Sequence, residues 1–212
     1  EQIYPVDSQL PWSELAAVPE TYYTAFGSFK NLQIKEGDSI LVRAATSGVG
    51  LAFLKLVKAQ FPQNRVVGAV RSLAKKDLLQ QQGFDEIILD EKGVLQTEEK
   101  FDKILELVGP ATLKNSFDHI QSAGIICNTG QLGGKWYVEE FDPIVEIKNN
   151  SFLTSFYSGN VSQQLFDELF SYIDVYQINV SPQRIFSLEQ IPAAHSYIES
   201  QAGFGKVVVL ND

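Results

Sequence analysis

The stretch that decides the fold is DSILVRAATSGVG, residues 38–50, and it runs directly into the helix-forming segment LAFLKLVKA, residues 51–59. The apolar first half predicts a β-strand, the small residues predict a tight turn, and the segment after Gly50 predicts a helix. At such a turn the free backbone N–H groups and the positive end of the helix dipole attract an anion. The stretch therefore predicts a strand, a turn and a helix that can hold a phosphate group.

The turn at residues 45–50 matches a degraded form of the dinucleotide fingerprint G-x-G-x-x-G, in which only the third glycine, Gly50, is kept. Small residues are needed because a large side chain would hold the phosphate away from the backbone, and because Gly50 must let the helix lie close to the strand. A plain strand-to-helix turn of another α/β protein is the alternative. We predict a pyrophosphate site formed by Thr46, Ser47, Gly48, Val49 and Gly50.

A second β-run, Arg65–Val70, ends about twenty residues after Gly50, where a dinucleotide-binding domain places the residue that contacts the ribose. An acidic side chain there would accept hydrogen bonds from the ribose hydroxyls of NAD. This chain instead has Arg71, Ser72 and Lys75, which would attract a 2′-phosphate. We therefore predict NADP (NADPH) rather than NAD as the cofactor. The alternative is that these basic residues only form the solvated start of a surface helix.

Strands and helices alternate between residues 39 and 156. Strands are predicted at 39–45, 65–70, 86–89, 103–107, 124–129 and 152–156, with helices at 49–61, at 73–82 and after Pro110. Such alternation is typical of parallel βαβ units with right-handed crossovers. We predict an α/β fold with a Rossmann-type, doubly wound, six-stranded parallel sheet.

Beyond residue 159 the pattern predicts a helix, a β-run within 178–186, a further helix and a final strand at 206–210. The last two strands have no crossover partner in this pattern, so we expect them to belong to another sheet. We divide the chain into a linker and interdomain helix (1–32), an NADP-binding core (33–159) and a closing helix with a C-terminal return segment (160–212).

The composition limits the classes of partner. At 212 residues and 44% hydrophobic content the chain can bury a core, and its net charge of −9 argues against nucleic acid and anionic membranes. No apolar run approaches the roughly 20 residues that span a bilayer, and the opening residues lack a signal-peptide pattern, so we expect a cytoplasmic protein. The single cysteine, Cys127, excludes an internal disulfide and cysteine-rich metal sites, and we expect it to be a buried thiol.

Other side chains that could carry chemistry each have a simpler interpretation. His119 and His195 are too few and too far apart to form a metal site with the cysteine, and we expect structural or surface roles for them. Trp136 and Tyr137, between the fifth and sixth predicted strands, would either cover a flat substrate or pack the loop against its own domain. No metal site is predicted.

Several separated stretches together resemble the medium-chain dehydrogenase/reductase superfamily, and within it the zinc-independent branch that resembles quinone oxidoreductases. The order and spacing of the stretches carry the resemblance, which covers nearly the whole chain. The stretches are AAVP at 16–19, TA at 24–25, GDSILV at 37–42, SGVG at 47–50, RS at 71–72 with Lys75, FDKILELVG at 101–109, GIICNTG at 124–130, AAH at 193–195 and GKVVV at 205–209.

The resemblance implies further site residues. Thr24 would lie near the nicotinamide, Val108 would contact the cofactor, Thr129 and Gly130 would line the nicotinamide pocket, and Tyr157 would face the same crevice. Family members with catalytic zinc have a cysteine ligand where this chain has Glu20 as the nearest match, so no zinc is expected. The resemblance also implies a homodimer, formed through sheet edges or the loop around Trp136.

Two features depart from the family pattern. Ser47 stands where many members have glycine. Asp90 stands after the third strand, where some quinone reductases place a tyrosine against the adenosine, and we expect its carboxylate to repel a phosphate. The family also has a GroES-like domain before the nucleotide-binding domain, and this chain opens without one. We therefore expect a cofactor-binding fragment that is inactive alone.

The function expected from the resemblance is that of an NADPH-dependent oxidoreductase acting on a small molecule, a quinone or an enone. Hydride would pass from the nicotinamide to the quinone or to the β-carbon of an activated alkene, with no protein acid or base named. Two alternatives stay open. One is an NADP(H)-binding module without turnover, and the other is an enoyl-thioester reductase of the same superfamily.

Overall fold

The computed structural model describes residues 3–200 and 204–211. The helices are α1 (Trp12–Leu15), α2 (Thr21–Leu32), α3 (Gly48–Gln60), α4 (Lys76–Gln82), α5 (Leu113–Asp118), α6 (Pro143–Glu146), α7 (Gln163–Tyr176) and α8 (Ile191–Glu199). The strands are β1 (Ile40–Arg43), β2 (Val66–Val70), β3 (Glu86–Glu91), β4 (Val94–Leu95), β5 (Phe101–Glu106), β6 (Ile120–Asn128), β7 (Phe152–Ser155), β8 (Arg184–Ser187) and β9 (Val207–Leu210).

The main sheet has seven strands in the order β4-β3-β2-β1-β5-β6-β7. The six strands predicted from the sequence all form, and every neighbouring pair among them is parallel. The chain moves outward from β1 through β2 to β3, then returns to β1's other side with β5. This reversal confirms the doubly wound fold, and it opens a crevice at the carboxyl ends of β1 and β5.

The prediction of six strands was incomplete, because β4 adds a seventh that runs antiparallel to β3. The two strands are joined at Lys92 and Gly93, whose φ angles are +51° and +89°. Two consecutive left-handed residues favour a tight hairpin whose twist matches that of the strands. A strand of two residues has too little alternation to be found from the sequence.

The core lies on both faces of the main sheet because β1 sends alternate side chains to opposite sides. Ile40 and Val42 join the larger buried cluster, where Phe53 of α3 and aromatic residues of α2 and α7 pack together. Leu41 points the other way, into a smaller cluster with Phe117 of α5. The sheet is therefore covered by helices on both faces, which fixes the carboxyl edge of the strands as the accessible one.

The last two strands form a separate two-stranded sheet, as predicted, but the expectation that they lack a crossover partner was wrong. β8 and β9 pair with each other in parallel, and α8 is the crossover between them. The first of these strands begins at Arg184, because Ile178 and Val180 are buried in the main core and Pro182 lacks the N–H needed for a strand ladder. Among the described residues no helix is both long and apolar enough to cross a membrane.

Candidate cofactor site

The predicted phosphate turn forms where β1 ends. Strand pairing stops at Arg43, and Ala44 adopts a left-handed conformation with φ of +60°, which turns the chain away from the sheet. Ser47 caps α3, because its Oγ accepts a hydrogen bond of 3.1 Å from the backbone N–H of Gly50. The helix thus begins at Gly48, with its amino end directed at the crevice.

The two glycines of the turn differ in what a side chain would meet. A Cβ on Gly50 would lie 3.0 Å from the carbonyl oxygen of Ala44 and 3.2 Å from Ser47 Oγ. A Cβ on Gly48 would meet Thr21 Cγ2 at 3.4 Å, an ordinary contact. Gly50 is therefore required for the close approach of helix to strand, which is the role that the sequence predicts for the third glycine.

A cavity of about 520 Å³ opens beside the turn, at the end of β2. Its lining residues are Thr46, Val70, Arg71, Ser72, Ala74, Lys75, Ile198, Glu199 and Ser200. The cavity thus brings together Thr46, which was predicted to bind the pyrophosphate, and the three residues predicted to bind the 2′-phosphate: Arg71, Ser72 and Lys75. Ser72 also holds the local backbone, because its Oγ accepts a hydrogen bond of 3.3 Å from the N–H of Ala74. Two basic side chains on one wall suit a phosphate group.

The end of α8 contributes residues to this cavity that were not expected from the sequence. The last turn of α8 supplies Ile198, Glu199 and Ser200 to the cavity. Gly205, which follows α8, donates a backbone hydrogen bond of 3.3 Å to the carbonyl of Thr46. Gly205 therefore contacts the phosphate turn directly. No sequence pattern marks this contact, because it joins residues about 160 positions apart in different parts of the fold.

A cluster of hydroxyl groups lies at the end of β6, at the nicotinamide side expected from the resemblance. Ser28 Oγ is 2.8 Å from Thr129 Oγ1 and donates a hydrogen bond of 2.8 Å to the carbonyl of Thr24. Thr24 is buried, and its Oγ1 has no hydrogen-bond partner in the described part of the chain. A buried hydroxyl without a partner fits a site that is completed by a polar ligand group. Thr24 and Thr129 are thus brought together, with Ser28 between them.

Cys127 belongs to the same cluster. Its Sγ lies 3.3 Å from Thr129 Oγ1, and the residue is fully buried, as predicted. Burial raises the pKa of this thiol, and hydrogen bonds from Thr129 and Ser28 offset only part of that effect. The group is therefore a neutral thiol near neutral pH, and its chemistry is that of a packed side chain rather than a nucleophile.

The loops after β5 and β6 lock together next to this cluster. Glu106 is fully buried, and its Oε1 accepts hydrogen bonds from the N–H groups of Val108 and Gly109, at 2.8 and 3.0 Å. A Cβ on Gly130 would lie 2.1 Å from the carbonyl oxygen of Leu107, so only glycine fits where the two loops cross. Val108 and Gly130 are thereby held in fixed positions at the carboxyl edge of the sheet.

Asp90 does not act as expected. It is buried, and its Oδ2 accepts a hydrogen bond of 2.6 Å from Arg43 Nη2, while Arg43 Nε lies 3.7 Å from Glu106. The expectation that Asp90 repels a phosphate is therefore corrected, because a guanidinium neutralises its charge in the protein interior. Arg43 further donates hydrogen bonds to Asn115 and Ser116 of α5. No sequence pattern pairs the members of this network, because they are distant along the chain.

Other predicted residues lie apart from the cavity. Tyr157 is 73% exposed and follows β7. Trp136 and Tyr137 are largely exposed, so the loop does not bury them against its own domain, although Phe141 in the same loop packs against Phe117. His119 is buried, and its Nδ1 is 3.0 Å from a backbone carbonyl, which matches the structural role expected for it.

The described residues contain no group of three or more His, Cys, Asp or Glu side chains that could hold a metal ion. Glu20, the nearest match to the zinc ligand of other family members, therefore belongs to no such group. It stands at the start of α2 with a φ of +64°. Independence from zinc stays a prediction. The site that the residues do fit is a dinucleotide site, with a glycine at the close approach, a basic cavity beside it and an unpartnered hydroxyl further along the edge.

A family model described as zinc-binding dehydrogenase matches residues 82–209, more than half of the chain. Probable polyketide synthase 14 of Dictyostelium discoideum is 25% identical over 238 residues, a match that covers 100% of this chain and 8% of that protein. A probable quinone oxidoreductase of Schizosaccharomyces pombe is 25% identical, with 84% of this chain and 56% of that protein covered. The chain thus spans only part of the curated relatives it matches.

The fold has close counterparts among solved structures. The Bacillus subtilis protein yhfP, determined with NAD bound, superposes with a TM-score of 0.80 at 22% identity, over 97% of this chain and 66% of that one. At this level of identity the likeness shows a shared fold.

Proposed function

The chain belongs to the zinc-binding dehydrogenase family, within the medium-chain dehydrogenase/reductase superfamily of oxidoreductases, and from that membership we propose that it binds NADPH for the reduction of a quinone or enone. In both substrates a carbon–carbon double bond is conjugated to a carbonyl group. The protein of which the chain forms all or part would transfer hydride to that conjugated system. The relative named as a probable quinone oxidoreductase supports this substrate class.

One observation carries the proposal: Thr46 of the phosphate turn shares a cavity with Arg71, Ser72 and Lys75. A pyrophosphate on the N-terminus of α3 would meet free N–H groups and the helix dipole. The 2′-phosphate of the same molecule would then reach Arg71, whose planar guanidinium can donate two parallel hydrogen bonds. With Lys75 beside it, this wall carries two positive charges in a chain of net charge −9.

The hydroxyl cluster would hold the other end of the cofactor. Thr24 Oγ1 has no partner in the described structure, so it can hydrogen-bond the amide group of the nicotinamide, while Ser28 and Thr129 satisfy each other. Bound NADPH supplies the hydride. The residues at the edge of the sheet orient the ring and exclude water from it, and we assign no protein acid or base to the reaction.

The activity is tested on the whole protein of which the chain forms all or part, by mixing it with NADPH and a panel of quinones and enones and following NADPH oxidation. We expect oxidation that depends on the acceptor and falls at least about tenfold in Arg71→Ala, because a charge-assisted contact to phosphate is lost. Tight NADPH binding with no oxidation across the panel would favour the alternative, a nucleotide-binding module without turnover. Oxidation that Arg71→Ala leaves unchanged would contradict the proposed site.

A second candidate substrate is an enoyl thioester. The observation that favours it is the match to a polyketide synthase, which extends over the whole of this chain. A thioester carbonyl activates the adjacent double bond as a ketone does, so the same hydride transfer applies. Short 2-enoyl thioesters of N-acetylcysteamine, assayed beside quinones, separate the two: faster NADPH oxidation with the thioesters would replace the first candidate by the second.

We also propose a homodimer that pairs through β7. This strand is the edge of the main sheet, and its Phe152 is 58% exposed. Sedimentation at micromolar concentration should show a dimer, and Phe152→Lys should dissociate it because a charge on an edge strand opposes pairing. Val94→Lys, a matched change at the opposite sheet edge, serves as the control. A monomeric wild-type chain would contradict this proposal.

A further inference from the structure

The cavity that holds Arg71 has two walls of opposite charge. One wall comes from the segment after β2 and carries Arg71 and Lys75. The other comes from the last turn of α8 and carries Glu199. The first wall suits a phosphate, but the second contributes an acidic residue to the same cavity. A site adapted to a 2′-phosphate alone would have no use for that carboxylate.

The end of α8 adds to the negative wall. The helix has nine residues and ends at Glu199, after which Ser200 turns into an extended conformation with ψ of 159°. The carbonyl groups of the last helical turn carry the negative end of the helix dipole, at the end of α8 where Glu199 stands. Both features favour a hydrogen-bond donor and disfavour an anion.

A ribose with a free 2′-hydroxyl is such a donor. A carboxylate that accepts hydrogen bonds from the ribose hydroxyls is the device by which dinucleotide-binding domains recognise NAD, although it normally follows the second strand. In this chain Arg71 occupies that position, and the acidic residue is Glu199 at the end of α8. The cavity therefore has a basic residue that suits a phosphate, Arg71, and an acidic residue that suits a hydroxyl group, Glu199, on separate elements.

We propose that Glu199 determines nucleotide specificity by lowering the preference for NADPH over NADH. Its carboxylate accepts a hydrogen bond from the 2′-hydroxyl of NADH and repels the 2′-phosphate of NADPH, so the chain accepts both nucleotides. This inference rests on the proposed function, because it takes the cavity to be the site of the adenosine ribose.

The size of the effect follows from exposure. Glu199 has an exposed side chain, so water and salt screen its interactions with the ligand. An exposed charge interaction changes an equilibrium by roughly two- to fivefold. Removal of the Glu199 charge should lower the NADPH dissociation constant and raise that of NADH. The ratio of the NADH to the NADPH dissociation constant should therefore rise by roughly four- to twenty-five-fold.

The test is calorimetric titration of the chain with NADPH and NADH, for the wild type, Glu199→Gln and a matched control. The control is Glu98→Gln, which removes the same charge from an exposed residue. Glu98 precedes β5 and so lies at the amino ends of the parallel strands, opposite the cavity. We expect Glu199→Gln to bind NADPH more tightly and NADH more weakly, and Glu98→Gln to match the wild type. Added salt should reduce the gain for NADPH.

Three outcomes would overturn a part of the account, and they are distinguishable. Equal ratios in Glu199→Gln and Glu98→Gln would overturn the role of Glu199 and leave the NADPH site intact. A wild-type preference for NADPH beyond about a hundredfold, the full strength of a charge-assisted phosphate contact, would also overturn it. Binding of neither nucleotide by the wild type would contradict the proposed function itself.

Discussion

Arg43 Nη2 lies 2.6 Å from Asp90 Oδ2, and this ion pair joins the carboxyl ends of β1 and β3 inside the protein. The Arg43 side chain is fully buried, and its Nε also faces Glu106 on β5. One guanidinium thus connects three strands beneath the candidate cofactor site. Glu106 in turn holds the backbone of Val108 and Gly109, so the network fixes the loop next to the proposed nicotinamide site.

We predict that Arg43→Met lowers the free energy of unfolding by about 3–5 kcal/mol, because it leaves buried carboxylates without a partner. Guanidinium denaturation measures this change. The control is Arg65→Met, whose side chain is 38% exposed and pairs with Glu86 and Glu99 at the surface. That control should cost no more than about 1 kcal/mol. An equal loss of unfolding free energy in Arg43→Met and Arg65→Met would show that the buried ion pair contributes no more to stability than the surface pairs.

Gly50→Ala and Gly48→Ala should separate the packing of the turn from its binding function. We expect Gly50→Ala to destabilise the fold by about 1–2 kcal/mol, because its Cβ would press against the backbone oxygen of Ala44. Gly48→Ala, whose Cβ has ordinary contacts, should fold normally and weaken NADPH binding by covering the N–H groups of the turn. Thermal unfolding and calorimetry report the two effects. A Gly50→Ala variant as stable as the wild type would contradict the close approach seen here.

The native protein should resist thiol reagents at Cys127. Because this residue is the single cysteine, labelling by a disulfide reagent reports on it alone. Burial and the raised pKa should make labelling at neutral pH at least about tenfold slower in the native protein than in denaturant. Native and denatured chains that label at the same rate would show that Cys127 is exposed in solution.

The raised pKa of Cys127 also predicts a pH dependence of stability. In the unfolded chain the thiol ionises near about pH 8.5, whereas in the folded chain it stays protonated to higher pH. The unfolded state therefore binds fewer protons above that pH, and the contribution of the thiol to stability falls as pH rises. At about pH 9.5 the loss relative to neutral pH should be larger for the wild type than for Cys127→Ala, as denaturation at the two pH values will measure. If the free energy of unfolding has the same pH dependence in the wild type and in Cys127→Ala, the thiol does not ionise differently in the two states and the prediction is wrong.

Local features of the fold were predictable from the sequence. The alternation of strands and helices, the turn before α3 and the basic residues after β2 each depend on residues that are close along the chain. The structure confirms the six parallel strands and their doubly wound order. It also places Thr46 and Arg71 in one cavity, which follows from the rule that the carboxyl ends of neighbouring parallel strands meet at one edge.

Contacts between distant segments were not predictable. Ser28 and Thr129 are separated by 101 positions, and neither periodicity nor composition pairs them. The same holds for Arg43 with Asp90, where a single charged residue at the end of an apolar strand gives no sign of its partner. The position of Glu199 depends on how the small β8–β9 sheet sits against the phosphate turn, which is a tertiary arrangement. Cytoplasmic location, the domain division and the absence of zinc stay predictions.

The most direct test of the central claim is calorimetric titration of NADPH into the wild-type chain and into Arg71→Ala, with Arg65→Ala as a control that removes the same charge elsewhere. The account predicts that Arg71→Ala weakens NADPH binding by about 10- to 100-fold, the value of a charge-assisted contact to phosphate, while NADH binding and the control remain unchanged. Equal NADPH affinities for the wild type and Arg71→Ala would contradict the assignment of this cavity to the 2′-phosphate.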